Sequence, residues 1–327
     1  MRRKPLVEFI TTGCDMYDLV LGGGYIQGGL INIVGDKSTC KSLLATECVA
    51  ANRDVPHQYF DEESGAKFDT QAVYGMDIYA EVVPETLEEF AYSTFPVFYR
   101  DKQQSLTVVD SYDALQSKAA RIRQQEEEQR YKKNQDPDPE NKGSYKLEKP
   151  KLLKEFLGSH IVAMQKKKAT LIFISQLIAN LDNLMYKPKH KRTGGKALDF
   201  YSSQIIWLRE VEKHFKKGRA IGVTVEIRTE KCRSATPFRS CYIQVLFGYG
   251  VDNVTTNLLF LYDMYTAKEG KLKKSATVVW DGVEMTLDQA VEHIEVNNQE
   301  AELKKRIVEK WHKIENEIGP GKRKRKY

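Results

Sequence analysis

Hydrophobic positions along this chain fall into short continuous runs, and amphipathic segments separate the runs. Each run is bounded by polar or glycine residues and predicts a strand that is buried on both faces of a sheet. The predicted strands are 29–34, 105–111 and 169–176. The predicted helices between them are 42–50, 86–95 and 152–166. Strands that alternate with helices favour an α/β fold with a largely parallel sheet.

Two stretches interrupt this alternation. Residues 117–150 are charged, punctuated by proline and poor in core residues, which predicts a helix that passes into a mobile insertion. Residues 183–196 are basic and contain glycine, which predicts a mobile loop. Three further strands are expected at 203–208, 222–228 and 240–247.

The last part of the chain has a different pattern. Apolar residues recur at spacings of three and four at 287–294 and 301–314, which predicts amphipathic helices. Glycine and proline then end the last helix before a run of cations. We therefore expect a lead-in over 1–30, a core over 31–255, a small α-rich C-terminal domain over 256–318 and a basic tail over 319–327.

Composition limits the class of protein. With 41% hydrophobic and 29% charged residues, the 327-residue chain can bury a sizeable core. We expect a cytoplasmic protein without a membrane span, because the sequence contains neither a run of about 18 apolar residues nor a hydrophobic signal segment. The five cysteines show no metal-binding spacing and are typical of a reducing compartment. A net charge of +6 permits a polyanionic partner without requiring one.

The most informative motif follows the strand at 29–34. Residues 35–42 read GDKSTCKS and match the phosphate-loop pattern G-x-x-x-x-G-K-[ST], except that Cys40 replaces the second glycine. In this pattern, backbone N–H groups surround phosphates, the lysine reaches the terminal phosphates and the hydroxyl holds Mg²⁺. The start of the following helix also favours an anion. The residues expected to bind the nucleotide are Gly35, Asp36, Lys37, Ser38, Thr39, Cys40, Lys41 and Ser42.

Cys40 leaves two possibilities open. If the loop requires positive φ at this position, a Cβ there costs on the order of 1 kcal/mol, which binding tolerates. If the loop shifts instead, nucleotide affinity falls.

Polar residues lie at the ends of the predicted strands 105–111 and 169–176, and an acidic run follows a further predicted strand that ends before residue 61. Asp110 could orient Mg²⁺ beside Ser42, or it could cap a turn. The acidic run 61–63 could supply a carboxylate that polarises water, or it could be a solvated turn. Gln176 could sense the terminal phosphate, or it could simply complete hydrogen bonds at the strand end.

Two groups of cations lie outside this motif. Those of the basic loop could neutralise phosphates of DNA or RNA, or form ordinary solvated surface. Lys231 and Arg233, in a predicted turn, could reach a nucleotide held by a neighbouring subunit. The residues alone do not decide between that role and surface charge. The cations of the basic loop are Lys187, Lys189, Lys191 and Arg192.

Taken in order, these motifs resemble the RecA recombinase family, and specifically its bacteriophage UvsX-type branch, over about residues 10–314. Residues 35–42 and 108–111 resemble the Walker A and Walker B motifs. The UvsX-type branch also tolerates a residue other than glycine before the lysine. Residues 193–203 resemble the end of the family's second DNA-binding loop.

The resemblance implies a three-layer RecA-like core and a DNA-dependent ATPase that uses ATP and Mg²⁺ for homologous pairing and strand exchange. It identifies Glu63 as the catalytic base and Gln176 as the sensor of the γ-phosphate. It places Lys41 at the phosphates of its own subunit and assigns Lys231 and Arg233 to a nucleotide across a filament interface.

The resemblance also implies DNA contact by the insertion 117–150 and by a loop over 177–196. Expected partners are single-stranded DNA, homologous duplex DNA, further copies of the chain in a helical filament, and single-strand-binding or mediator proteins. The compartment would be a bacterial host cytoplasm. The residues implied in DNA contact are Lys187, Lys189, Lys191, Arg192, Gly194 and Gly195.

Three departures from the family keep other functions open. Few residues precede the core where the family has a docking helix and strand, the insertion is longer and more charged, and the tail is basic rather than acidic. One alternative is a nucleotide-binding mediator of recombination with little turnover. The other is a helicase-type motor, against which the match at 193–203 argues.

Overall fold

A computed structural model of the chain describes residues 7–63, 69–136, 148–179, 190–192, 195–266, 270–273 and 277–319. Within those ranges, no helix combines the length and the apolar character that crossing a membrane requires. Part of the predicted insertion (137–147) and the tail from 320 onward lie outside the described residues. The same holds for Lys187, Lys189 and Gly194.

The chain begins with a short antiparallel pair, β1 (Phe9–Ile10) and β2 (Tyr25–Ile26), on either side of α1 (Asp15–Leu21). The strands of the central sheet are β3 (Leu30–Gly35), β4 (His57–Asp61), β5 (Ser105–Asp110), β6 (Ala169–Ala179), β7 (His190–Arg192), β8 (Gln204–Lys216), β9 (Arg219–Cys232), β10 (Ser240–Leu246) and β11 (Gly250–Val251). A separate hairpin, β12 (Thr277–Trp280) and β13 (Val283–Thr286), follows near the C-terminus.

The remaining helices are α2 (Lys41–Ala51), α3 (Thr70–Tyr74), α4 (Leu87–Glu89), α5 (Phe95–Arg100), α6 (Lys118–Lys132), α7 (Glu148–Lys167), α8 (Gly195–Tyr201), α9 (Asn253–Leu261), α10 (Leu287–Val296) and α11 (Glu300–Ile318). A π-helical segment, Phe90–Thr94, joins α4 to α5, so the helix predicted over 86–95 is irregular and extends further.

Among the described residues, nine strands form the central sheet, in the order β11-β10-β9-β8-β3-β6-β5-β4, with β7 paired to β6. The five strands from β8 to β4 run parallel. Strands β9, β10 and β11 extend the sheet in antiparallel fashion. The predicted α/β fold with a mostly parallel sheet is confirmed.

Helices cover both faces of this sheet. Alternate residues of β3 point to opposite sides, because side chains alternate along a strand: Leu30 joins one apolar cluster, and Ile31 and Ile33 join the other. The Leu30 side packs against α5, α7 and α8, while the Ile31 side packs against α1, α2 and α9. Three layers result, helix on sheet on helix.

A buried polar side chain of β3 also points to the Leu30 side of the sheet. Asn32 of β3 is fully buried, and its amide Nδ2 donates to Phe173 O at 3.0 Å and to Ser175 Oγ at 2.8 Å. Burial of an amide is tolerated when its hydrogen bonds are made. These two bonds join β3 to β6, the two strands that lead into the site described below.

The C-terminal elements continue the core of the Ile31 side. Trp280 of β12, Ile294 of α10 and Leu303 of α11 are fully buried in the same cluster as α1 and α2. The guanidinium of Arg306 lies 4.0 Å from the centre of the Trp280 ring. The β12–β13 hairpin adds two strands to a region that was predicted to be α-rich. The sequence pattern did not predict them, because strands of four residues are too short to show a clear alternation.

The predicted limits of two strands are wrong. Strands β8 and β9 are thirteen and fourteen residues long and pair well beyond the predicted 203–208 and 222–228. Their outer halves leave the helical layers and become exposed, so hydrophobic alternation no longer marks them. The basic loop 183–196 also contains regular structure, because β7 lies within it and pairs with the end of β6.

Candidate active site

A cleft of about 520 Å³ lies where β3, β4 and β5 end and α2 begins. Carboxyl ends of parallel strands meet at one edge of a sheet, and ligands of open α/β folds bind outside that edge. Residues 38–42 of the phosphate loop line one side of the cleft, and the carboxylates of Asp61, Glu63 and Asp110 line another. Glu210 and Lys213 of the β8–β9 hairpin form another wall.

The geometry of the loop accounts for its sequence. A Cβ at Gly35 would collide with Thr39 Oγ1, whose hydroxyl donates to Asp36 O at 2.9 Å. Cys40 has φ 63° and ψ 25°, in the left-handed region where the usual pattern has glycine. The first possibility for Cys40 therefore holds in this structure: the residue adopts the positive φ, at a strain on the order of 1 kcal/mol.

The start of α2 is suited to an anion. No side chain of the described residues caps this helix terminus, and its first turn contains no acidic residue. Unpaired N–H groups at a helix start attract phosphate. Lys41 Nζ donates to Asp36 O at 2.7 Å, so the ammonium group lies within the loop. Burial lowers the pKa of Lys41, while the nearby carboxylates of Asp110 and Glu63 raise it.

Asp110 and Ser42 together offer oxygen ligands. Asp110 is 5% exposed, and its Oδ2 accepts a hydrogen bond from Tyr59 OH at 2.9 Å. Burial raises the pKa of Asp110, and hydrogen bonds from Ser42 and Tyr59 lower it. A carboxylate beside a hydroxyl, next to a phosphate-binding loop, is a donor set that Mg²⁺ prefers. The residues present therefore fit Mg²⁺ and a triphosphate.

Glu63 and Gln176 are in direct contact. Glu63 follows β4 and is exposed in the cleft, and its Oε1 accepts hydrogen bonds from Gln176 Nε2 at 2.6 Å and from Ser111 Oγ. Gln176 lies beside Gly35 in the β3–β6 register, so the first residue of the phosphate loop neighbours it. The strands thus bring together a carboxylate and an amide that are 113 residues apart in the sequence.

The adjacent Glu62 has a different environment. Its backbone N–H donates to Asp110 O at 2.6 Å, and its side chain is partly buried outside the cleft. Burial raises the pKa of Glu62 to about 7, with a further increase from Asp61. Of these two carboxylates, Glu63 is the one that lines the cleft, and its role as the water-polarising group stays a prediction.

Lys231 and Arg233 lie away from the cleft of their own chain. Lys231 is part of β9 rather than of the predicted turn, and Arg233 follows the strand directly. In the sheet register, Lys231 is level with Asn32, about 10 Å before Gly35 along the strand direction. Lys231 Nζ donates to the carbonyl oxygens of residues 199 and 200, at the end of α8, at 2.7 and 3.0 Å. Helix α8 packs on the opposite face of the sheet from α2.

Sequence reasoning missed several residues of the cleft. Tyr79, Lys213 and Phe247 line it, but each lies far from the phosphate loop in sequence. Tyr79 packs edge-on against Tyr59, with 5.0 Å between ring centres. No local motif marks these residues, because the β8–β9 hairpin and the turn before Tyr79 reach the cleft only through tertiary packing.

Of the residues predicted to contact DNA, Gly195 begins α8 with φ 58°, and the backbone of Lys191 and Arg192 forms part of β7. Lys187, Lys189 and Gly194 are outside the described residues. DNA contact by the basic residues of this loop therefore remains a prediction.

A strand, a phosphate loop and a helix at the carboxyl edge of a mostly parallel sheet define the phosphate-loop class of α/β proteins. Within this class, the chain belongs to the RecA family, because a family model of the RecA N-terminal domain matches residues 1–252.

Individual relatives are distant. Over 252 residues the chain is 27% identical to Protein RecA of Trichodesmium erythraeum strain IMS101, covering 76% of this chain and 65% of that protein. It is 26% identical to Protein RecA of Prochlorococcus marinus strain MIT 9215 over 320 residues, which cover 93% and 80% of the two chains. Protein RecA of Amycolatopsis mediterranei strain U-32 is 28% identical over 316 residues, which cover 94% of this chain and 84% of that protein.

Proposed function

We propose that the protein is an ATP-dependent recombinase that binds single-stranded DNA, pairs it with homologous duplex DNA and hydrolyses ATP in response to DNA. Its relatives named RecA support the general role. The observation that carries the proposal is the hydrogen bond between Glu63 and Gln176. It joins the proposed general base to the strand that leads into the proposed DNA-binding loop over 177–196.

In this proposal, each group of the cleft has one role. Lys41 and the N–H groups at the start of α2 hold the phosphates, and Ser42 and Asp110 hold Mg²⁺. When bound, Mg²⁺ neutralises charge on the phosphate oxygens. Glu63 orients and polarises the attacking water, and Gln176 couples the presence of the third phosphate to the loop 177–196.

DNA binding would involve this loop and the insertion 117–150. ATP then favours the conformation that holds DNA best, and hydrolysis releases the DNA, so the two ligands are linked by one free energy of coupling. Lys231 and Arg233 would serve the nucleotide of a neighbouring copy in a helical filament, with single-strand-binding and mediator proteins as further partners.

We also propose that the protein belongs to the phage-encoded UvsX-type branch and acts in the cytoplasm of a bacterial host. Cys40 supports this assignment, because this branch accepts a residue other than glycine at that position and the loop here accommodates Cys40 at positive φ.

The test is an ATPase assay with and without single-stranded DNA, with parallel electron microscopy for filaments. DNA should stimulate hydrolysis, and Glu63→Gln should reduce the rate by about 10²–10⁴-fold while nucleotide binding persists. Nucleotide binding with negligible turnover would indicate the mediator alternative, and closed rings would indicate a motor. DNA binding that ignores the nucleotide state would contradict the proposed linkage.

A further inference from the structure

The two ends of the insertion are joined by a polar clamp, formed by Ser117, Arg123 and Glu148. Arg123 Nη1 and Nη2 donate to the two carboxylate oxygens of Glu148 at 3.1 and 2.8 Å. Ser117 Oγ also donates to Glu148, at 3.4 Å. Paired bonds between a guanidinium and a carboxylate fix both distance and orientation. The clamp therefore sets the position of the start of α7, where the chain returns from the insertion.

Lys149 connects this clamp to the segment that follows β5. Its Nζ donates to Tyr112 O at 2.7 Å and to Asp113 O at 3.0 Å, and lies 4.3 Å from the centre of the Tyr112 ring. Tyr112 is buried, packs on Phe173 and donates its backbone N–H to Ile174 O at 3.1 Å. The segment after Asp110 is thus held by Lys149 on one side and by β6 on the other.

The same segment positions both groups that bond Glu63. Ser111 donates to Glu63 directly. Asp113 Oδ2 accepts the backbone N–H of Gln176 at 2.7 Å, and the Gln176 side chain donates to Glu63 at 2.6 Å. A continuous series of contacts therefore runs from the insertion through Lys149 and residues 111–113 to the proposed base.

We infer that Lys149 is a positioning residue that transmits the state of the insertion to Glu63 through Asp113 and Gln176. This inference rests on the proposed function, since it supplies a route by which DNA held by the insertion stimulates hydrolysis. Displacement of α7 would move residues 111–113 and weaken the alignment of Glu63. A misplacement of about 1 Å at such a site lowers a rate by up to about a hundredfold.

The charge on Lys149 supplies a distinctive readout. Burial lowers the pKa of Lys149 to about 8, although the carboxylates of Asp113 and Glu62 raise it. Glu127 of α6 lines the same surface depression as Lys149. Because the charged form is lost as pH rises through about 8, its two charge-assisted bonds to the carbonyl oxygens weaken in that range.

The experiment compares Lys149→Met with Lys149→Arg and with a control, Lys151→Met, at an exposed position two residues along α7. Lys149→Met should lower the DNA-stimulated kcat by about tenfold and leave KM for ATP nearly unchanged. Lys149→Arg and the control should retain stimulation. In the native protein the ratio of stimulated to basal rate should fall as pH rises through about 8, whereas Lys149→Arg should keep it.

A second measurement does not depend on activity. Backbone hydrogen exchange at Gln176 should be faster in Lys149→Met than in Lys151→Met, because its N–H bond to Asp113 is loosened. Equal exchange together with equal stimulation would overturn the inference. Absence of any DNA stimulation in the native protein would instead refute the proposed function, and the exchange comparison would still decide the role of Lys149.

If Lys149→Met does not fold, Asp113→Ala interrupts the next link and leaves the lysine in place. It should give the same selective loss of stimulated kcat, and Gln176 should again exchange faster. In a folded double variant, the two losses should be less than multiplicative, because both act on one series of contacts. Full stimulation in Asp113→Ala would contradict the proposed route.

Discussion

Two sets of cations, at opposite ends and on opposite faces of the central sheet, differ in what surrounds them. Lys41 lies in the cleft at the carboxyl edge, near the carboxylates of Asp110 and Glu63. Lys231 and Arg233 lie near the other end of the sheet, where both donate to the Phe200 carbonyl oxygen at the end of α8. Cations at a helix C-terminus stabilise its unpaired carbonyl groups.

The comparison is consistent with the proposal that Lys231 and Arg233 act on the nucleotide of a neighbouring copy, which stays a prediction. Lys41 can act on a nucleotide in its own cleft, whereas Lys231 and Arg233 cannot reach that cleft through the sheet. If these two residues serve a nucleotide, it must belong to another copy of the chain. They would then exchange their bonds to α8 for phosphate oxygens, so α8, which follows the proposed DNA loop, would respond to filament assembly.

The largest effect is expected from Lys41→Ala. Loss of a charge-assisted bond to phosphate removes up to about 3 kcal/mol, so nucleotide affinity should fall by about a hundredfold. Isothermal calorimetry with a non-hydrolysable ATP analogue measures this directly. Lys166→Ala, at an exposed position of α7, is the matched control. Unchanged affinity in Lys41→Ala would remove the phosphate loop from the mechanism.

A smaller and more selective effect is expected from Lys231→Ala combined with Arg233→Ala. Nucleotide affinity of the single subunit should be unchanged, while filament ATPase activity should fall by about tenfold to a hundredfold, because a lost charge-assisted bond removes about 1.5–3 kcal/mol. Mixing this variant with Lys41→Ala should restore part of the activity, because each contributes the half that the other lacks.

The control for this mixture is Lys41→Ala that also carries the two other substitutions, and it should restore nothing. If the first mixture also fails to recover activity, Lys231 and Arg233 only cap α8. That result would show that these two residues do not serve the nucleotide of a neighbouring copy.

The two ends also differ in how well the sequence predicts them. Lys41, Asp110 and Gln176 each follow a strongly apolar strand, and parallel strands end at one edge, so their proximity could be predicted. Lys231 could not be placed in this way. Strand β9 is longer than its hydrophobic pattern, so the residue belongs to a strand rather than to the expected turn.

The contacts of Lys149 are the hardest to predict. They depend on backbone carbonyl groups at Tyr112 and Asp113, which no side-chain pattern reveals. The same limit applies to Tyr79, which reaches the cleft through packing against Tyr59. Motifs thus predict residues at strand ends, whereas groups held by tertiary contacts require the structure.

A third prediction concerns the basic loop next to α8. Neutralising Lys187, Lys189, Lys191 and Arg192 together should weaken binding of single-stranded DNA. The slope of log affinity against log salt should become shallower by about 0.7 for each phosphate that the variant no longer neutralises. Neutralising four exposed lysines of α7 (Lys151, Lys154, Lys166 and Lys167) should leave the slope unchanged. An identical slope in both variants would show that the loop is only solvated surface.

The smallest effect is expected at Cys40, within the cleft itself. Cys40→Gly removes a strain on the order of 1 kcal/mol at positive φ, but glycine also raises the entropy of the unfolded chain by a similar amount. The free energy of unfolding should therefore change little, and nucleotide affinity should rise a few-fold at most. Cys40→Ala retains the Cβ and should match the native affinity, which calorimetry on both variants can measure. A gain of tenfold or more in Cys40→Gly alone would mean that Cys40 holds the loop away from its binding conformation, and that Lys41 is less well placed for phosphate than its position suggests.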